Sequence, residues 1–158
     1  MQIGLRDAVP QDFDYCARLY FDGMDRIIEE LGLDRSAQVA GFRHRWELPQ
    51  VRIITLDEAD VGWLQSAEEG DTVFLGQIFV DAPFRRQGIG TEVMKRLIGE
   101  ATKRDKAMTL GVVKTNPALR LYERLGFCVT HDDDRKCYMR REAGLAIQIA
   151  DPALAGRR

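Results

Sequence analysis

Six consecutive residues, Arg85-Arg86-Gln87-Gly88-Ile89-Gly90, have the types and spacing needed to hold a phosphate group. Two glycines let a ligand approach the backbone closely. Where such a stretch opens a helix, the first turn presents unpaired N–H groups at the positive end of its dipole. The arginines add planar cationic forks matched to phosphate oxygens. Together these features describe a phosphate-binding turn. The alternative reading is an ordinary strand-to-helix turn with solvated arginines. A P-loop is not supported, since there is no Gly-Lys-Ser/Thr, and Val93 stands where a dinucleotide fingerprint wants Gly or Ala.

The elements that must position this turn are legible on either side. Val73, Phe74, Leu75, Ile78, Phe79 and Val80 are the apolar, β-rich residues of a strand interior, and Pro83 stops the strand. Ile89, Val93, Met94, Leu97, Ile98 and Ala101 fall at helical spacing, which predicts a helix over 88–104. Upstream, residues 2–6 read as a first strand. Asp12 is the expected N-cap of a helix carrying Phe13, Cys16, Ala17, Leu19, Tyr20, Met24, Ile27 and Ile28, which Gly32 closes. A second helix is expected over 36–46, ended by Pro49. Val51–Leu56 and 61–66 read as strands joined by the turn Asp57-Glu58-Ala59-Asp60, and Glu68-Glu69-Gly70-Asp71 makes the turn into the central strand Thr72–Val80. Downstream come a buried strand Ala107–Val113 and a short helix opening at Asn116-Pro117 with Leu119, Leu121, Tyr122 and Leu125 inside. Gly126 ends that helix, and a last antiparallel pair over 127–130 and 136–140 surrounds His131-Asp132-Asp133-Asp134. Residues 143–158 are atypical. For Leu145-Ala146-Ile147-Gln148-Ile149 an added strand, a homodimer contact and a frayed tail all stay open.

Composition sets limits on function. The chain has 158 residues, 45% of them hydrophobic and 30% charged, the profile of a globular protein with one domain and one core. With 23 basic and 25 acidic residues the net charge is −2, which argues against bulk attraction to nucleic acid and makes Arg85-Arg86 a local feature. No apolar run approaches the ~20 residues that span a membrane, and the start lacks the apolar core of a signal peptide. Cys16, Cys128 and Cys137 are odd in number and lack metal-ligand spacing, and His44 and His131 are the only histidines. The expectation is a cytoplasmic protein without a metal site or a membrane partner.

The phosphate turn resembles the acyl-CoA-binding motif of the GCN5-related N-acetyltransferase (GNAT) family, Arg/Gln-x-x-Gly-x-Gly/Ala, preceded by the strand ending Ile78-Phe79-Val80. A second stretch, Asn116-Pro-Ala-Leu-Arg-Leu-Tyr-Glu-Arg-Leu-Gly-Phe127, is similar to the family's later motif, in which an Asn leads into a helix carrying Leu-Tyr and ending in Gly-Phe. The resemblance runs from the first strand to Arg141, in the family's element order. It implies a GNAT-type α/β (α+β) fold: a mixed, mostly antiparallel sheet with helices on both faces and a V-shaped splay between the two central strands. It also implies a domain over 1–142, with 143–158 an extension of open role.

The activity so implied is acetyl-CoA-dependent transfer to a primary amine of a small molecule, peptide or protein, by direct attack. By resemblance, the backbone of Ile78, Phe79 and Val80 takes the pantetheine arm like an added strand. The N–H groups of Gln87, Gly88, Ile89, Gly90 and Thr91 cradle the pyrophosphate, with Arg85 and Arg86 at its edge. Asn116 bonds the pantetheine amides and caps its helix, and Leu119 and Arg120 line the outer groove. Val80 N–H is the oxyanion donor and Tyr122 the acid for the departing thiolate; a half-buried structural tyrosine is the alternative. The base is missing from its usual place, because the central strand carries Phe74, Gly76 and Gln77 but no carboxylate. Glu68, Glu69 and Asp71 are candidates through water, though each also suits a solvated turn. Asp22, Asp25, His44 and Glu47 are candidate acceptor contacts. The Asp132-Asp133-Asp134 turn is either a lure for a cationic amine or a plain hairpin tip. A domain of this fold that binds acyl-CoA without catalysis is the rival reading.

Overall fold

The structure, a computed structural model, describes residues 2–145. Its strands follow the order β1-β2-β3-β4-β5-β7-β6, with β1 Ile3–Asp7, β2 Val51–Leu56, β3 Ala59–Glu69, β4 Thr72–Val80, β5 Ala107–Val113, β6 Cys128–Asp132 and β7 Lys136–Arg141. The pairs β1–β2, β2–β3, β5–β7 and β6–β7 are antiparallel and β4–β5 is parallel, the mixed, mostly antiparallel sheet that was expected. Among the described residues four α-helices accompany it: α1 Phe13–Glu30, α2 Arg35–Arg45, α3 Ile89–Lys103 and α4 Ala118–Arg124. The chain folds as two compact units. One comprises the residues up to Ser66 with Gln77–Gly90, the other Ala67–Gly76 with the described residues from Thr91 onward.

The first unit is built on an aromatic core. Cys16, Leu19, Tyr20 and Phe21 of α1, Phe42 of α2, Val51 and Ile53 of β2 and Trp63 of β3 are buried together. Phe42 lies against Phe13, Tyr20, Phe21 and Trp63, and Phe79 of β4 stacks on Trp63 at 5.5 Å. Such ring pairs add stabilisation beyond the area they bury. Phe42 is the one buried side chain of α2, whose remaining surface is largely solvated.

Three local expectations change here. Asp12 is not a side-chain N-cap. A 3₁₀ turn over Pro10–Asp12 already places it in helical conformation, and its carboxylate instead accepts both arms of the Arg6 fork, at 2.9 and 3.0 Å, and the Val9 N–H at 2.8 Å. Helix α2 stops at Arg45, before Pro49, because Trp46 turns extended; Asp34 caps its start by accepting from Ser36 N–H. The β2–β3 turn is shorter than expected, with Asp57 and Glu58 at φ 49° and 73° forming a two-residue reversal matched to strand twist. Gly32 does close α1, at φ 62°.

In the second unit, β4 pairs with β5 from Thr72–Ala107 to Leu75–Leu110. The stripe anticipated on α3 is the buried one: Val93, Met94, Leu97, Ile98 and Ala101 are at most 4% exposed. Met108, Leu110, Leu125, Phe127 and Met139 complete this core. Strand β6 extends to Asp132, so the last turn is tighter than the acidic stretch suggested. Arg141 is buried, its Nε donating to the Leu125 carbonyl at 2.7 Å and thereby satisfying the end of α4. Its guanidinium also bonds the Leu145 carbonyl. The strand suggested for 145–149 lies outside the described residues from 146 onward.

Candidate active site

The end of β4 is held from several sides within the first unit. Asp81 N–H donates to the Val61 carbonyl at 2.8 Å, so β3 flanks this part of the strand. Successive residues of an antiparallel strand present their backbone groups to alternate edges, and Val80 therefore turns its N–H and C=O away from β3. Its carbonyl accepts from Arg85 Nε at 2.9 Å. Asp81 caps the 3₁₀ turn Ala82–Phe84 through Ala82 N–H at 2.9 Å, and its other oxygen meets Arg18 of α1 at 3.2 Å. Gly62 passes so close to the Phe79 carbonyl that no β-carbon fits between them.

The expected phosphate turn follows. Arg85, Arg86, Gln87 and Gly88 are exposed, and Ile89, 1% exposed, anchors the start of α3. Arg86 at φ 63° and Gly88 at φ 79° both adopt the left-handed conformation, which costs a side-chain-bearing residue roughly 1–2 kcal/mol. A β-carbon on Gly88 or Gly90 would meet nothing within 4 Å, which leaves the space in front of these residues open. Gln87 Nε2 donates back to the Pro83 carbonyl at 3.3 Å.

In the second unit Asn116 performs the capping expected of it: its Oδ1 accepts from Ala118 N–H at 2.9 Å and its carbonyl from Leu119 N–H at 3.1 Å. Leu119 is half-buried and Arg120 exposed. Tyr122 is 8% exposed, its ring 5.9 Å from that of Phe127. Burial pushes its phenol above the ordinary tyrosine value, which keeps the proton on oxygen at neutral pH.

Several carboxylates singled out from sequence are already engaged. Glu68 is ion-paired with Arg104 and, at 2.8 Å, with Lys106. Asp132 pairs with Lys114 at 2.7 Å. Asp133 accepts from the N–H groups of Lys136 and Arg135 and from the Tyr138 hydroxyl, which together hold it below the usual carboxylate range. Asp22 pairs with Arg18 and Asp25 with Arg35, while His44, Glu47, Glu69, Asp71 and Asp134 are exposed. Cys16 is a core thiol pushed up to about 12 by burial, and so is no nucleophile. Among the described residues no cluster of His, Cys, Asp and Glu suits a metal ion, and no helix is long and apolar enough to cross a membrane. The roles of Gly62 and of the Arg85–Val80 bond were missed from sequence. A glycine inside the strand Val61-Gly62-Trp63 was the available signal for the first, since it marks a close backbone approach.

The acetyltransferase (GNAT) family matches residues 21–127. This chain belongs to the GNAT family. Over 70 residues it is 37% identical to an uncharacterized N-acetyltransferase of Methanocaldococcus jannaschii, a match covering 43% of the GNAT chain and 31% of that relative's length. Its fold is that of Ard1 from Thermoplasma volcanium, with a TM-score of 0.66 at 19% identity over 90% of this chain and 99% of the other. The PaiA N-acetyltransferase of Thermoplasma acidophilum, solved with coenzyme A, gives 0.63 at 16% identity over 90% and 99%. The ribosomal-protein-S18-alanine N-acetyltransferase of Escherichia coli gives 0.63 at 18% identity over 92% and 96%.

Proposed function

We propose that this GNAT chain is an acetyl-CoA-dependent N-acetyltransferase that transfers the acetyl group directly to a primary amine of a small molecule or peptide. One observation carries the reading: a strand end with pinned backbone runs into an open turn, with Gly88 left-handed and the space before Gly90 empty, at the N-terminus of a fifteen-residue helix. The turn from Gln87 to Thr91 would take the pyrophosphate and Arg85 and Arg86 its outer charge. By the family resemblance, Ile78, Phe79 and Val80 would hold the pantetheine arm, and Asn116, Leu119 and Arg120 are further candidate cofactor contacts.

In the reaction, a neutral amine attacks the thioester carbon and the carbonyl electrons move onto oxygen, where the Val80 N–H stabilises them. The tetrahedral species then collapses, the C–S bond breaks, and the thiolate takes its proton from Tyr122. The amine's own proton leaves to water, and water returns a proton to the Tyr122 phenolate, which closes the balance. A free alkylammonium has a pKa near ~10, so the neutral fraction limits the rate, and proximity supplies much of the acceleration. Residues 1–142 form the catalytic domain in this reading, with 143–158 appended.

The test is release of free coenzyme A thiol from acetyl-CoA across a panel of amines, polyamines and peptide N-termini. Amine-dependent release supports transfer. The second reading, an acyl-CoA-binding module without catalysis, draws on the lack of a carboxylate on β4 and on Glu68 being ion-paired. Binding of acetyl-CoA without release for any amine would favour it.

A further inference from the structure

We propose that Arg85 is a positioning residue that couples capture of the cofactor's phosphate to the placement of the Val80 amide; this rests on the reading of that amide as the oxyanion donor. The peptide group joining Val80 to Asp81 is clamped at both ends. Its oxygen accepts from Arg85 Nε at 2.9 Å, and its N–H donates to the Val61 carbonyl at 2.8 Å. A peptide is planar, so fixing both ends fixes the plane, and with it the backbone rotation of Val80 that aims the preceding N–H. Arg85 is exposed, and among the described residues its two terminal nitrogens hold no hydrogen bond or ion pair. A guanidinium carries five donors in one rigid fork, so Nε can hold the strand while the outer edge takes two phosphate oxygens. An exposed hydrogen bond of this kind is weak alone. An anion on the outer edge fixes the orientation of the fork and so secures the inner bond. Arg86, next in the chain, is exposed, and among the described residues the bond to the Val80 carbonyl is made by Arg85 and not by Arg86.

The experiment is isotope-edited infrared spectroscopy of acetyl-CoA labelled with ¹³C at the thioester carbonyl, bound to the full chain, alongside calorimetric Kd values for coenzyme A. In wild type the bound carbonyl stretch should lie below its value in free acetyl-CoA. Arg85→Ala should weaken coenzyme A binding and, at saturating ligand, lose about half or more of that shift. Arg86→Ala should weaken binding and keep the shift. Arg85→Lys keeps the charge but concentrates its donors on one ammonium nitrogen, with no rigid fork to hold two partners on opposite edges, and it provides the measurement where Arg85→Ala cannot be saturated; its shift should shrink as well. A full wild-type shift in the saturated Arg85 variant overturns the coupling and leaves the oxyanion reading intact. No shift in wild type removes the Val80 donor and this inference together.

Discussion

Gly62 of β3 and the carbonyl oxygen of Phe79 on β4 are packed so closely that a β-carbon at position 62 would overlap that oxygen. The atom in the way is backbone, so no rotamer change relieves the clash, and β4 must move next to the peptide proposed to hold the acyl group. Gly62→Ala should therefore lower stability by about 1–3 kcal/mol, and should weaken acetyl-CoA binding by more than the stability loss alone accounts for. Thermal melts paired with titration calorimetry check this. Unchanged acetyl-CoA affinity would mean that β4 does not carry the cofactor.

Tyr122 is the proposed acid, and its burial raises the phenol pKa. A raised pKa keeps the acid form below it and loses that form above it. The rate should therefore rise with pH as more amine becomes neutral, with no fall attributable to the tyrosine before about pH 10. Tyr122→Phe should lower kcat by about 10²-fold with a smaller change in KM for acetyl-CoA. A kcat equal to wild type would reassign the acid.

Much of this is readable in the order of residues. The α3 stripe and the spans of β4 and β5 follow from apolar patterning, Pro83 marks the end of β4 and Gly126 the end of α4, because burial and chain reversal both leave a trace in residue type. Partner choice leaves none. Nothing in the order of residues distinguishes a solvated Asp12 from one forked by Arg6, or a solvated Arg85 from one turned back onto Val80. The same limit obscures the acceptor: Glu68, Asp132 and Asp133 look available in the chain but are claimed by Arg104, Lys106, Lys114 and the Tyr138 hydroxyl in the fold.

Asp12 and Arg6 tie the first strand to the start of α1, and Asp60 meets the same guanidinium at 3.0 Å. The hydrogen bond from Arg6 is the largest influence holding the Asp12 carboxyl below its ordinary range. A depressed folded-state pKa gives stability that is fully present above the unfolded value near ~3.9 and is lost as pH falls through the folded value. Asp12→Asn should cost about 1–3 kcal/mol at neutral pH, and its melting temperature should converge on wild type below about pH 4. A constant gap between the two proteins from pH 7 to pH 3 would show that the ion pair contributes nothing.

Gly88 is the place in the motif where only glycine is admitted, whereas the place of Gly90 also takes alanine. The φ of Gly88, 79°, is left-handed, and a β-carbon there would touch nothing within 4 Å. A side chain in that conformation costs roughly 1–2 kcal/mol, so Gly88→Ala should lower the stability of the free protein by about that much. If main-chain amides at this turn grip the diphosphate, the new methyl group also stands in the space the ligand must enter. Saturating coenzyme A at 100 times Kd should stabilise wild type by about 2.7 kcal/mol, and the same concentration should stabilise Gly88→Ala far less. Differential scanning fluorimetry with and without coenzyme A reads both effects at once. Equal ligand-induced shifts in the two proteins would place the diphosphate somewhere other than the opening of α3.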